Sequence, residues 1–276
     1  MMKKAFYILL LPGLLIISIF LVIPILSTIL PTFFDGGNMI TIKSYTDFFT
    51  DPYYIKIFLR TIKLALITVI ICMFLGVPTA YFISRSKKKI RGMLIVFAIF
   101  PMLTNSVVRA FSWMAILGKN GVINDALMKL GLIAEPLKLL YTEGAIVVGT
   151  VYLFLPIMIT TVVGVMENID SDIYEAAESL GSSKIEAFFQ VIFPLSLPGI
   201  IVGNVLVFTG AASAYNTAQM LGGNSNMVLS TLIYQQAMSL GNWETASVIS
   251  AVMIVSSILI MAIMNSIASK INERGV

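Results

Sequence analysis

The sequence has no histidine, one cysteine and few charged residues, 12% of its 276 positions. Each shortage removes a class of chemistry. Without histidine the commonest general base and metal ligand are missing. No paired carboxylates lie inside an apolar run, because Glu143, Glu167 and Glu244 all sit near the ends of such runs. The lone Cys72 can form no internal disulfide, and inside an apolar stretch it reads as a small buried residue. No glycine-rich phosphate loop is present: Gly118-Lys119-Asn120-Gly121 lacks both the spacing and a preceding strand. An enzyme is therefore not expected, nor a metal or cofactor. The same lack of intramembrane acids leaves an ion-coupled secondary transporter, the alternative from another class, without residues for a proton relay. Basic clusters interleaved with aromatics are also missing, so the net charge of +4 reflects membrane topology and no nucleic-acid partner is expected.

What is abundant is apolar sequence, 58% of the chain. Continuous apolar runs of about 20 residues fit membrane-spanning helices, whereas barrel strands would alternate over about 10. The expected fold is all-α, a polytopic membrane bundle of six transmembrane helices in one domain covering residues 1–276. The spans are read at about 5–33, 61–84, 92–117, 143–166, 195–221 and 246–268. The first follows Lys3 and Lys4, has no small-x-small cleavage site and is expected to stay uncleaved, kinked at Pro12, Gly13 and Pro24. Between the first two spans, Asp47-Phe48-Phe49 and Pro52-Tyr53-Tyr54 suggest a short helix at the lipid interface. Arg85, Lys87, Lys88, Lys89 and Arg91 crowd one short connection, which the positive-inside rule places in the cytoplasm. Counting from it puts both termini, and the 167–194 connection, on the same side.

That connection is the most informative stretch. From Asp172 to Pro198 it reads as two short helices meeting at a glycine. Asp172 can cap the first, with Glu175 reaching back, and Ile173, Ala176, Ala177 and Leu180 fall on one stripe. Gly181 occupies the position of a left-handed closing residue. Ser183 with Glu186 repeats the capping pattern, and Pro194 and Pro198 are expected to terminate or kink the second helix where the chain re-enters the membrane.

Glu175-Ala176-Ala177, then Gly181, then Pro194 ahead of another apolar run, resembles the EAA loop of ABC importer permease subunits. Val191 and Phe193 replace that family's usual Ile and Leu and keep the positions apolar. The resemblance implies a bacterial plasma-membrane permease whose loop is a coupling helix, with Glu175, Ala176, Ala177, Leu180, Gly181 and Pro194 facing a separate ATP-hydrolysing subunit. It also implies partners: a dimer of ATP-binding subunits, a second permease subunit that is identical or a paralogue, and an extracytoplasmic solute-binding protein. Small residues at Ala176, Ala177 and Gly181 suit close approach by a partner.

Candidates for the translocation pathway come from the third and fifth spans. Arg109 is the one basic residue well inside a span, where a charge costs roughly 2.5 to 3.5 kcal/mol, so it either faces a wet interior or snorkels to the interface. Trp113 lies one turn further on. In the fifth span Ser213, Asn216, Thr217 and Gln219 place several polar groups at membrane depth, where they need partners or water. Arg109-Ala110-Phe111-Ser112-Trp113 followed by Gly118, Gly121, Asn124 and Gly131 resembles the spermidine/putrescine branch of the permease family. So does the outer segment from Leu221-Gly222-Gly223-Asn224 to Asn242-Trp243-Glu244, although Ala218 follows Thr217 where that branch commonly has proline. A polyamine substrate is what the resemblance implies. An anionic solute is the alternative, favoured by Arg109 and by the lack of acids in the spans.

Overall fold

A computed structural model describes residues 11–34, 40–170, 172–173, 177, 179 and 181–273, with side chains through Ser266. Among these residues every extended element is a helix. In chain order they are α1 (Leu11–Phe33), α2 (Lys43–Thr50), α3 (Pro52–Ser84), α4 (Lys88–Leu103), α5 (Ser106–Leu117) and α6 (Val122–Lys129). There follow α7 (Glu143–Met166), α8 (Lys184–Ser213), α9 (Tyr215–Gly222), α10 (Leu229–Tyr234) and α11 (Trp243–Glu273). Five helices, α1, α3, α7, α8 and α11, are each long and apolar enough to cross a bilayer, and α4 with α5–α6 forms a sixth candidate that is sharply bent.

The chain divides into two compact units. One comprises residues 1–56 and 232–255. In it Thr32 Oγ1 and Tyr45 Oη share a hydrogen bond of 2.6 Å, and Phe33 stacks on Tyr45 with ring centres 5.0 Å apart. Phe48 is buried and stacks on Tyr54, so α2 forms where an interfacial helix was expected. α3 starts at Pro52, nine residues ahead of the expected boundary. Asp51 Oδ1 accepts the Tyr53 amide at 2.8 Å, and proline is pre-set for a first helical position.

The other unit, residues 57–231 and 256–276, has its core where α3, α7 and α8 pack together. Cys72, Met158, Val162, Val207 and Phe208 are fully buried there. Without a hydrophobic drive between helices in lipid, close contact has to come from small residues. A Cβ on Gly199 would lie 2.7 Å from Cγ2 and 2.9 Å from Cβ of the stiff Val165, so the bare position lets α8 seat closely on α7. A hydroxyl pair ties α3 to α7 across the apolar interior: Thr68 and Thr150 lie 2.9 Å apart, one donating to the other while the second donates to the carbonyl of its own preceding turn.

Pro194 and Pro198 do not terminate the helix: α8 continues through both. A π-turn, Phe188–Ile192, precedes Pro194, with the Phe193 amide bonded to the Phe188 carbonyl. α1 uses the same arrangement: the π-turn Ser18–Val22 stands ahead of Pro24, and the Ile23 amide bonds to Ser18 O. Conversely, the single helix expected over 92–117 is two helices, turned by 91° at 104–105. The run expected over 195–221 also breaks, at Ser213–Ala214.

Candidate functional site

The 167–194 connection begins where α7 ends. Asp170 Oδ1 accepts the Asp172 amide at 3.1 Å; the cap expected from Asp172 with Glu175 falls outside the described residues. Glu175, Ala176 and Leu180 lie outside the described residues. Gly181 has φ +97°, and the Ser182 amide bonds to Ala177 O at 3.1 Å. This is the bond that closes a helix through a left-handed residue, as the sequence predicts. Among the described residues no atom lies within 4 Å of where a Gly181 Cβ would stand, so the demand for glycine seen there is conformational. Ser183 and Glu186 form a reciprocal capping box: Ser183 Oγ accepts the Glu186 amide and Glu186 Oε2 accepts the Ser183 amide. From there α8 rises without interruption to Ser213, 30 residues. At 1.5 Å per residue that is about 45 Å, enough to cross the membrane in one rigid piece.

The far end of α8 meets the other break. Asn105 caps α5, its Oδ1 accepting the amides of Val107 and Val108 at 2.8 and 3.4 Å. A break inside an apolar run frees carbonyls that lipid cannot satisfy, at a cost of several kcal/mol each. Arg109 supplies the donor: its Nη1 bonds to Pro101 O at 2.8 Å, Thr104 O at 3.3 Å and Thr104 Oγ1 at 3.4 Å. The intramembrane arginine is half-buried and holds the end of α4 against the start of α5. Asn216, in the first turn of α9, donates to Ser106 Oγ at 2.9 Å, so the two helix breaks are joined to each other.

The remaining candidates fall around this junction. Ser213 and Asn216 are exposed, and Gln219 is half-buried. Trp113 meets Tyr152 of α7 edge-on, centroids 5.5 Å apart, and packs on Leu117, Ala145 and Leu221. Thr217 is buried in a notch made by Gly149, where an added Cβ would come within 2.6 Å of Thr217 Cγ2. The polar run thus separates into two exposed residues, Ser213 and Asn216, and a packing residue, Thr217.

The sequence reading missed an ion cluster at the other end of α7. Glu143 pairs with Arg60 at 3.0 Å and with Lys63, both on α3. Arg60 Nη1 also reaches Ser225 O at 3.3 Å and Met227 O at 3.1 Å, pinning the segment after Gly223. The signal was one acid opening an apolar helix, with two bases one turn apart just ahead of the apolar run of another. Beside it, buried Asn124 donates to Gly118 O and Leu137 O and accepts the Leu137 amide, closing the 118–137 loop.

Membrane-length helices, two helix breaks joined to each other and a polar knuckle between α7 and α8 define a polytopic membrane protein. A model of the binding-protein-dependent transport system inner membrane component family matches residues 73–274. The spermidine/putrescine transport system permease protein PotB of Haemophilus influenzae is 34% identical over 237 residues, 84% of this chain and 82% of that protein. PotB of Escherichia coli K12 is 34% identical over 203 residues, 74% of each. Among solved structures, a chain of a bacterial alginate ABC transporter, crystallised with an alginate pentasaccharide-bound periplasmic protein, superposes with a TM-score of 0.82. The identity is 18%, over 99% of this chain and 97% of that one, a likeness of fold. The chain belongs to the family of binding-protein-dependent transport system inner membrane components. It is a multi-pass protein of the inner membrane, a non-enzymatic transport subunit.

Proposed function

We propose that this chain is the permease subunit of a binding-protein-dependent ABC importer for polyamines such as spermidine and putrescine. The substrate is taken from the relatives named PotB, to which most of the chain aligns. Arg109 keeps its charge, but its Nη1 is turned to carbonyls freed by the helix break, which supports a structural role for it beside a polyamine passage. Both termini and the 167–194 knuckle face the cytoplasm on this reading, with the Arg85 to Arg91 cluster. Glu175, Ala176, Ala177, Leu180 and Gly181 dock into an ATPase subunit, and Pro194 marks the entry to the membrane. Two such grooves on an ATPase dimer call for two knuckles, hence a second permease subunit. A solute-binding protein delivers substrate at the opposite face.

The observation that carries the mechanism is the unbroken α8, which links the knuckle directly to the junction of the two breaks. Closure of the ATPases moves the knuckle, and a rigid rod conveys the displacement to Asn216 and Ser106. Ser213, Asn216 and Gln219 line the passage, while Arg109, Trp113 and Thr217 keep its shape. The energy transmitted is limited to the differential grip on the two states. Gly181→Val tests the coupling: it has room among the described residues but an unfavourable φ, costing about 1 to 2 kcal/mol locally. The variant should insert normally, yet lose ATPase stimulation and spermidine uptake by more than about tenfold, a loss above 1.4 kcal/mol of coupling. Full uptake would remove the coupling role. Uptake of an organic acid in place of spermidine by the unmodified importer would replace the substrate.

A further inference from the structure

Where the knuckle's last residues join α8, away from the helix breaks, the larger unit carries an apolar groove of about 250 Å³ between α3 and α8. Phe74, Val77 and Pro78 form one side, and Phe188, Phe189 and Phe193 the other. Val77 is the floor, 4% exposed, while the walls Phe74 and Phe189 stand 73% and 59% exposed. The π-turn ahead of Pro194 sets the three phenylalanines side by side, with ring centres 5.1 to 6.3 Å apart. One end of the groove leads to charge. The Phe188 ring meets Tyr81 at 4.9 Å, and the guanidinium of Arg85 sits 6.0 Å from the Tyr81 ring centre. Lys184 precedes Phe188 by one helical turn and shares its face. Both cations are exposed, and the loop beyond adds Lys87, Lys88 and Lys89.

We propose that this groove holds one acyl chain of an anionic phospholipid whose phosphate rests on Arg85 and Lys184. The inference rests on the chain's place in the membrane and is independent of its substrate. Length supports it: Phe74 to Arg85 spans about 16 Å of helix, matching half of a hydrocarbon core of about 30 Å. A groove greasy along one leaflet and cationic at the headgroup level is complementary to an amphiphile with a negative head. A second copy of this chain seated on the same face would bring its own Arg85 to Arg91 cluster against this one, which like-charge repulsion opposes.

The test uses membrane vesicles containing the full chain with its co-assembled subunits and phosphatidylglycerol bearing a diazirine on one acyl chain. After irradiation, label mapped by mass spectrometry should concentrate on peptides holding Phe74 and Phe188 to Phe193. Unlabelled phosphatidylglycerol should compete about fivefold better than phosphatidylcholine, and inorganic phosphate should not compete. Arg85→Gln with Lys184→Gln, both exposed sites, should abolish that preference. Val77→Trp should fill the groove and remove the label. Equal competition by phosphatidylcholine, unchanged preference in the double variant, competition by phosphate, or crosslinking of this face to another subunit would each overturn the proposal.

Discussion

Pro24 and Pro194 sit within continuous helices behind a π-turn, whereas the break between Ser213 and Tyr215 contains no proline and the one between Leu103 and Ser106 follows Pro101, which has no π-turn ahead of it. At Pro24 and Pro194 a π-turn ending two residues earlier widens the backbone and moves aside the carbonyls a ring would strike. At the breaks, side chains supply what the helix gives up: Asn105 takes free amides and Arg109 serves free carbonyls. In lipid a helix ends where replacement partners exist, because unsatisfied backbone has no water to turn to. The residue that cannot donate is a weaker guide than the residue that can.

Arg109→Ala offers the strongest challenge to this comparison. It removes a charge-assisted donor to two carbonyls and should cost about 2 to 3 kcal/mol. We expect a lowered unfolding midpoint in detergent and uptake reduced more than about tenfold, with partial recovery in Arg109→Lys. Wild-type stability in the alanine variant would mean the break holds without its bridge. Asn105→Ala, which removes the α5 cap, should cost about 1 kcal/mol by the same measurement. Asn216→Ala is expected to cost only about 0.6 kcal/mol, the usual scale of a hydrogen bond between membrane helices. Its effect on uptake should exceed its effect on stability, because it joins the two breaks. Pro24→Ala should change stability by less than about 0.5 kcal/mol. A larger change would show that the π-turn does not absorb the ring.

Long apolar runs made the helices and their order legible, and turn chemistry made Gly181 and the Ser183 to Glu186 box legible to the residue. Average hydropathy could not locate the breaks, since 92–117 and 195–221 stay apolar overall although short polar stretches, Thr104 to Ser106 and Ser213 to Gln219, mark both. The clue at the first was a capping residue, Asn105, in mid-run with an arginine four positions on. The second, at Ser213 and Ala214, is held from another helix by Ser106, a contact that no local pattern encodes. Arg109 was legible as a costly residue, but its partners were not, because a lone sequence does not show which carbonyls a fold will free. The start of α3 was in plain view in Asp51-Pro52.

Arg91 pairs with Glu167 at 3.1 Å where the knuckle begins, and Tyr81 meets Phe188 where it ends. Both footings stand on the flanks of one short hairpin, the end of α3 and the start of α4. A tug on the knuckle therefore finds no slack to take up at either foot. It is clamped like the handle of a jug, and whatever displaces it must carry the wall along.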